Sequence, residues 1–391
     1  MPSSLRQHAR RTLDDLEAAG RRRSPAPTAV LDARRVLRGD RTLVDFSSND
    51  YLGLARDPEV AEAARRALEA HGAGGAASRL ITGDHPPYAE LETELAALKG
   101  TEDAVVFGSG YLANLGILPA LVDRHDLILA DKLNHACLVD GARLSGARMV
   151  RFPHADTNAL RARLERYRER ARHCLLVTDS VFSMDGDLAP LRELAALAAE
   201  FDCWLMTDDA HGIGVVGGGA GGTTAAGLDA EAVPLQMGTL SKAVGGYGGY
   251  LCTHGEVADL IRTRARSFIY TTALPPATVA GNTAGLRRIR NDPALCARPR
   301  ALASRLCERL GLAEPASAIV PVVLGADRLA LAAQEDLLEA GLLVQAIRPP
   351  TVPEGTARLR VTLRAPHTES DVEALAEALA PWVDRASMEA S

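Results

Sequence analysis

The sequence predicts an α/β chain, with a large domain on a mainly parallel sheet followed by a smaller α+β C-terminal domain. Two observations carry this. From about Asp45 to Gly285, short apolar runs alternate with amphipathic helical stretches, and the runs Ala104-Val105-Val106-Phe107, Leu127-Ile128-Leu129-Ala130, Cys174-Leu175-Leu176-Val177, Trp204-Leu205-Met206-Thr207 and Tyr250-Leu251-Cys252 show no polar alternation. Strands apolar on both faces belong in a sheet covered by helices on both sides, with crossover connections. After about Ala284 the texture shifts to helices with more alternating segments, including Arg358-Leu359-Arg360-Val361-Thr362-Leu363. The expected division is 1–45 as an N-terminal helix and arm, 46–285 as the large domain and 286–391 as the C-terminal domain.

An opening helix is predicted from about Ser4 to Ala19, with Leu5, Ala9, Leu13 and Leu16 on one face and Gly20 as its stop. Arg21-Arg22-Arg23 and Ser24-Pro25-Ala26-Pro27 then form an arm and linker. Asp57 caps a helix with Pro58 in its first turn, and Pro86-Pro87 precedes a helix over Tyr88 to Lys99 that Gly100 ends. The glycine-rich stretch Gly217 to Gly222 reads as a flexible loop. Thr368, with Asp371 three residues later, opens a last amphipathic helix ending near Val383.

Composition narrows the function classes. A chain of 391 residues that is 47% hydrophobic and 24% charged holds a substantial buried core. Its 44 Lys and Arg against 50 Asp and Glu leave a net charge of -6, which argues against a nucleic-acid partner. No apolar run approaches the roughly 18 residues of a membrane span. Six cysteines without C-x-x-C spacing read as reduced core residues of a cytoplasmic protein. The N-terminus lacks a signal-peptide apolar stretch, and Asp14, Asp15 and Glu17 argue against an acid-poor transit peptide.

Three short strings carry chemistry. Gly108-Ser109-Gly110-Tyr111-Leu112-Ala113 follows a predicted strand and opens a helix. It satisfies a dinucleotide fingerprint, with Asp131 near the expected acidic position, and equally suits a single phosphate on a helix N-terminus or a plain turn. Asp208-Asp209-Ala210-His211 directly follows an apolar run, where open α/β sheets bind ligands; a helix cap plus a loop histidine is the plainer reading. No metal site is expected, because a third ligand at suitable spacing is missing. Thr239-Leu240-Ser241-Lys242 precedes the glycine run Gly245 to Gly249; it is no P-loop, since no glycine directly precedes Lys242, and alone it reads as a surface lysine.

In this chain order the three strings resemble the aminotransferase-like class of pyridoxal phosphate (PLP) enzymes, and within it the α-oxoamine synthases. The markers are Phe46-Ser47-Ser48-Asn49-Asp50-Tyr51-Leu52-Gly53-Leu54, Asn134-His135-Ala136, Asp179-Ser180-Val181-Phe182-Ser183-Met184-Asp185-Gly186-Asp187, Asp208 to His211, Thr239 to Lys242, and Pro349-Pro350-Thr351-Val352-Pro353. Two departures stand out. The family's serine-rich glycine turn appears as Gly72-Ala73-Gly74-Gly75-Ala76-Ala77-Ser78-Arg79, and a glutamate often found before Val-Phe-Ser is Asp179.

The resemblance implies the PLP-dependent transferase fold (fold type I) and a decarboxylative condensation. Ile347-Arg348 ahead of Pro349 points to a member joining L-alanine to a pimeloyl thioester on coenzyme A or an acyl carrier protein. A sister synthase using glycine, forming aminolevulinate or 2-amino-3-ketobutyrate, is the alternative; a nicotinamide oxidoreductase and a catalytically silent scaffold are remoter. Carried over by resemblance, Lys242 forms the Schiff base and moves the α-proton, Asp208 pairs with the pyridinium nitrogen, His211 bonds the ring hydroxyl and His135 stacks on the ring. Ser109, Gly110 and Tyr111 hold the phosphate, with Ser183 and Thr239 in support, and Thr271 and Thr272 reach the site of a second subunit in a homodimer. Asn49, Arg360 and Thr351 match substrate positions, with Arg360 as carboxylate partner; without the resemblance Arg360 reads as an exposed strand residue. Arg21 and Arg348 are the expected arginines along the acyl path.

Overall fold

Seven strands form the central sheet, in the order Asp103–Phe107, Gly249–Thr253, Leu235–Thr239, Trp204–Asp208, Cys174–Asp179, Leu127–Asp131 and Arg148–Phe152. The structure is a computed structural model and describes residues 3–18, 21, 22 and 24–390. The last five strands of that order are mutually parallel. All five apolar runs singled out in the sequence lie in this sheet, and period-two alternation sends their side chains to opposite faces. Val106 and Tyr250 pack with Tyr88, Leu91 and Leu95 on one side. Val105 and Leu251 pack with Ile117 and Leu118 on the other.

Gly249–Thr253 departs from the expected crossover pattern and runs antiparallel to both neighbours. The loop from Leu240 to Gly248 is closed by a Leu240 N–H to Gly248 O bond and is too short for a crossover helix, so the chain must turn back. Arg148–Phe152 and Asp103–Phe107 are the two edge strands; in the former Arg148 and Arg151 are exposed, which is why no continuous apolar run marks it.

A three-stranded antiparallel sheet, Ile319–Gly325, Ala357–Thr362 and Gln345–Ile347, packs with helices Pro293–Leu310, Asp327–Glu339 and Glu369–Ala390. Near the N-terminus, Ala29–Val30, Arg35–Arg38 and Arg41–Asp45 form a further sheet, completed by Leu342–Leu343 running parallel to Arg41–Asp45.

Several local expectations hold. Asp57 accepts hydrogen bonds from the Glu59 and Val60 N–H groups, and Gly100 ends Pro87–Lys99 in a left-handed conformation. Thr368 and Asp371 exchange backbone and side-chain bonds in a reciprocal cap. Others change. The opening helix is Ser3–Ala18, with Leu5, Leu13 and Leu16 exposed; Gly20 and Arg23 lie outside the described residues. The last helix runs on to Ala390, carrying Pro381 inside it.

Residues Gly217 to Gly222 are not a flexible connection. They form a tight turn leading into Gly222–Ala225, and the Gly222 N–H donates to Asp209 Oδ1. Gly221 has φ 99 and any Cβ there would overlap the Asp209 carboxylate, so glycine is required by both conformation and space. Ala357–Thr362 is buried on both faces because Arg358 and Arg360 turn inward, a correction to the exposed reading of Arg360. All six cysteines are free thiols, and among the described residues no helix is long and apolar enough to cross a membrane.

Candidate active site

Three parallel strands, Cys174–Asp179, Trp204–Asp208 and Leu235–Thr239, end side by side, with Asp179 opposite Asp208 and Asp208 opposite Met237. Their loops and two helix starts enclose a cavity of about 200 Å³. Ser109, Gly110, Tyr111, His135, Asp208, His211, Thr239 and Lys242 all line it, as do Cys137 and Asp179. Eight residues singled out in the sequence therefore meet at one place, at the carboxyl ends of the strands where open α/β sheets bind ligands.

The anion end is built by the helix Gly110–Leu121. Ser109 is its N-cap, in extended conformation, and its Oγ accepts from the Leu112 N–H. The other first-turn N–H groups have no intrahelical partner, and with the helix dipole they suit a phosphate. Gly110 lets this turn sit against the neighbouring strand, since a Cβ there would lie 3.3 Å from Thr239 Cβ. Tyr111 is half-exposed and its hydroxyl bonds Asp140.

Across the cavity, Lys242 Nζ lies 2.8 Å from His211 Nε2. Burial drives the Lys242 amine down to about 8, although Asp208 and Asp179 favour its charged form. Burial, and then the positive charge of Lys242, also hold His211 well below the usual imidazole range. His211 Nδ1 meets the hydroxyl of the fully buried Tyr51 at 2.6 Å. Asp208 is fixed by two donors, Asn114 Nδ2 at 2.8 Å and the Ala210 N–H at 3.1 Å. Asp179 accepts from the His135 N–H at 2.9 Å, while burial and then nearby Asp208 raise its carboxyl well above the usual range.

Beneath the strand ends, Asp209 turns away from the cavity. It takes Lys99 Nζ at 2.6 Å, together with the Ser180 hydroxyl and the Gly222 N–H, and both ends of the Lys99–Asp209 pair are buried.

Arg360 sits beside this constellation. Its Nε donates to Ser183 O, one terminal nitrogen reaches Asn49 Oδ1 at 3.1 Å and Thr362 Oγ1 at 3.2 Å, and the other lies 3.5 Å from the Tyr51 hydroxyl. Every acceptor around it is uncharged. Its neighbours differ: Arg358 pairs with Asp185, and Arg364 with Asp45 and Asp50. A buried guanidinium without a carboxylate among the described residues leaves a fork suited to binding one.

Eight expected residues do not line the Lys242 cavity: Asn49 and Ser183 are held with Arg360 beside it, and five lie in other clefts. Arg21, Arg348 and Thr351 line a separate cleft of about 460 Å³ with Arg22 and Ser24. Thr271 and Thr272 border a narrow crevice with Arg79 and Phe268. Conversely, Asn114, Cys137 and Asp179 belong to the site although no role was expected of them. Cys137 reads as core in the sequence, and Asn114 lies inside an apolar helix with nothing local to mark it.

The described residues fit the cofactor that the resemblance implies: an amine held near neutral pKa, a doubly bonded buried carboxylate, and an open helix N-terminus. Comparison with known proteins agrees. The family model "Aminotransferase class I and II" matches residues 41–379. The chain is 56% identical over 376 residues to the 8-amino-7-oxononanoate synthase of Methylobacterium nodulans, covering 96% of each, and 55% identical over 377 residues to that of Maricaulis maris, again 96% of each. Among solved structures, a serine palmitoyltransferase from S. paucimobilis with a bound PLP-myriocin aldimine superposes with a TM-score of 0.91 at 30% identity, covering 98% of this chain and 99% of that one. An 8-amino-7-oxononanoate synthase from Francisella tularensis gives a TM-score of 0.76 at 27% identity, covering 89% and 99%. On its fold-type I architecture, the family model spanning most of its length and relatives aligned almost end to end, the chain belongs to the aminotransferase class I and II family.

Proposed function

We propose that this chain is a PLP-dependent acyltransferase of biotin biosynthesis. It condenses L-alanine with a pimeloyl thioester to give 8-amino-7-oxononanoate, carbon dioxide and free thiol. The activity for which relatives 55–56% identical along 96% of the chain are named supports the reaction. The observation that carries the amino-acid half is Arg360, a buried guanidinium beside Lys242's cavity with only neutral partners.

PLP, when bound, supplies an aldehyde for covalent attachment and a ring that accepts the electron pair left at a substrate α-carbon. The residues do the rest. Ser109, Gly110 and Tyr111 hold the phosphate through the helix N-terminus, with Ser183 and Thr239 bracing the site. Asp208 keeps the ring nitrogen protonated, while His211 and His135 orient the ring. Lys242 is the attachment point; displaced by alanine, its amine takes the α-proton and later returns one. Arg360 and Asn49 fix the alanine carboxylate. The α-carbon forms a bond to the acyl carbon as the carbon–sulfur bond breaks and the thiol leaves. The carboxylate then departs as carbon dioxide, and a proton replaces it at the α-carbon.

Arg21, Arg348 and Thr351, gathered in one cleft, lie along the acyl path, where a cation offsets the cost of burying the distal pimeloyl carboxylate. The working unit is a cytoplasmic homodimer in which Thr271 and Thr272 complete the partner's phosphate site. Residues 46–285 serve as the cofactor-binding unit, 286–391 as a C-terminal unit and 1–45 as an arm. The test is a product assay by mass spectrometry with a pimeloyl thioester and each small amino acid. Product from alanine is expected; turnover with glycine in its place would assign the chain to a sister synthase.

A further inference from the structure

Asn114 is fully buried one turn into the helix that starts at Gly110. Both hydrogens of its amide nitrogen are engaged, one with Asp208 Oδ2 at 2.8 Å and one with Cys137 Sγ at 3.0 Å. Its Oδ1 is buried without a partner among the described residues. Turning the amide over would set that oxygen against the Asp208 carboxylate, so the repulsion fixes the orientation.

Cys137 opens the next helix, Ala136–Ser145, with Sγ 2.8 Å from His135 Nδ1. Burial and then the charge of Asp208 push its thiol up to about 12, so it remains S–H at neutral pH. Burial also lowers the His135 pKa, favouring the neutral ring, and the Cys137 backbone N–H donates to Nδ1 at 3.3 Å. Nδ1 therefore carries no proton, the thiol donates to it, and the ring proton sits on Nε2. The directions run without conflict: Asn114 donates to Asp208 and to Cys137, and Cys137 donates to His135.

We propose that Asn114 and Cys137 form a positioning bridge that holds the Asp208 carboxylate and the His135 imidazole in fixed relation for the cofactor ring. This rests on the PLP assignment above. Asp208 ends a strand and His135 precedes a helix on a different crossover, and the bridge is the side-chain link between them. Neither bridging residue exchanges a proton with substrate.

The test compares full-length Asn114→Leu, Cys137→Ala and Cys137→Ser with the wild-type chain. Three readouts need neither alanine nor thioester: PLP affinity by absorbance titration, visible circular dichroism of the bound cofactor, and the His135 tautomer by ¹⁵N NMR of the cofactor-free chain. Asn114→Leu is expected to weaken PLP binding by about tenfold or more, the scale of a lost hydrogen bond to a charged group, Cys137→Ala by about two- to tenfold, the scale of a neutral one, and both to change the dichroic band. Cys137→Ser, which keeps a donor and an acceptor, is expected to restore most of both, with Nε2–H retained at His135. Equal impairment in the Ser and Ala variants, or unchanged affinity and dichroism in Asn114→Leu, overturns the proposal. If Asn114→Leu does not fold, the Ser and Ala pair still decides. A wild-type chain that binds no PLP would instead refute the parent assignment.

Discussion

Lys242 owes its reactivity to burial more than to its neighbours. With its pKa brought down to about 8, a useful fraction of the amine is unprotonated near neutral pH, as a nucleophile and general base requires. Because the neutral form attacks, the rate at which the cofactor-free chain captures PLP covalently should rise with pH and level off above about 8, measured by stopped-flow absorbance. A profile still rising up to the ordinary lysine range would show that burial does not tune the amine. Lys242, Asp208 and His211 stood out in the sequence because each lies in a short string after an apolar run, but alone those strings read as a surface lysine and a capped loop, and their roles came from the order of the strings along the chain. Arg360 was legible only by resemblance, since nothing in an alternating Arg-Leu-Arg-Val run shows which arginine lacks a carboxylate. Asn114 and Tyr51 act through contacts with residues far along the chain, to Asp208 and His211, and no local pattern records such contacts.

The strand ends are held from below by the buried Lys99–Asp209 pair, one step along the chain from Asp208. Asp209 also anchors Ser180 and the Gly222 turn, so it ties together two strand ends and the glycine loop. Lys99→Met removes one charge and leaves the other buried; unfolding by denaturant is expected to show a loss of about 3 to 5 kcal/mol. A loss under about 1 kcal/mol would mean that the Ser180 and Gly222 bonds satisfy Asp209 by themselves. The five apolar strands were readable because both their faces are buried. The strand Arg148–Phe152 was not, because the exposed Arg148 and Arg151 interrupt its apolar residues, and the antiparallel turn of Gly249–Thr253 follows from loop length rather than from the strand's own residues.

For the whole molecule, the homodimer proposed above would need a surface to bury, and an apolar one adjoins Thr271 and Thr272. Leu80, Ile81 and Tyr270 are 55%, 75% and 71% exposed, and Ser78 pairs with Thr272 so that these segments adjoin. Large exposed apolar side chains gathered in this way mark interaction surfaces. Ile81→Asp should shift the chain toward monomer in light scattering and weaken PLP binding in parallel; a fully active monomer would refute the shared site. The central claim is a condensation that releases the amino acid's own carboxylate, and it is tested most directly with alanine carrying ¹³C at that carbon alone, together with a pimeloyl thioester. The account predicts labelled carbon dioxide, free thiol and an unlabelled 8-amino-7-oxononanoate in equal amounts; label retained in the product, or alanine converted to a keto acid without acyl transfer, would contradict it.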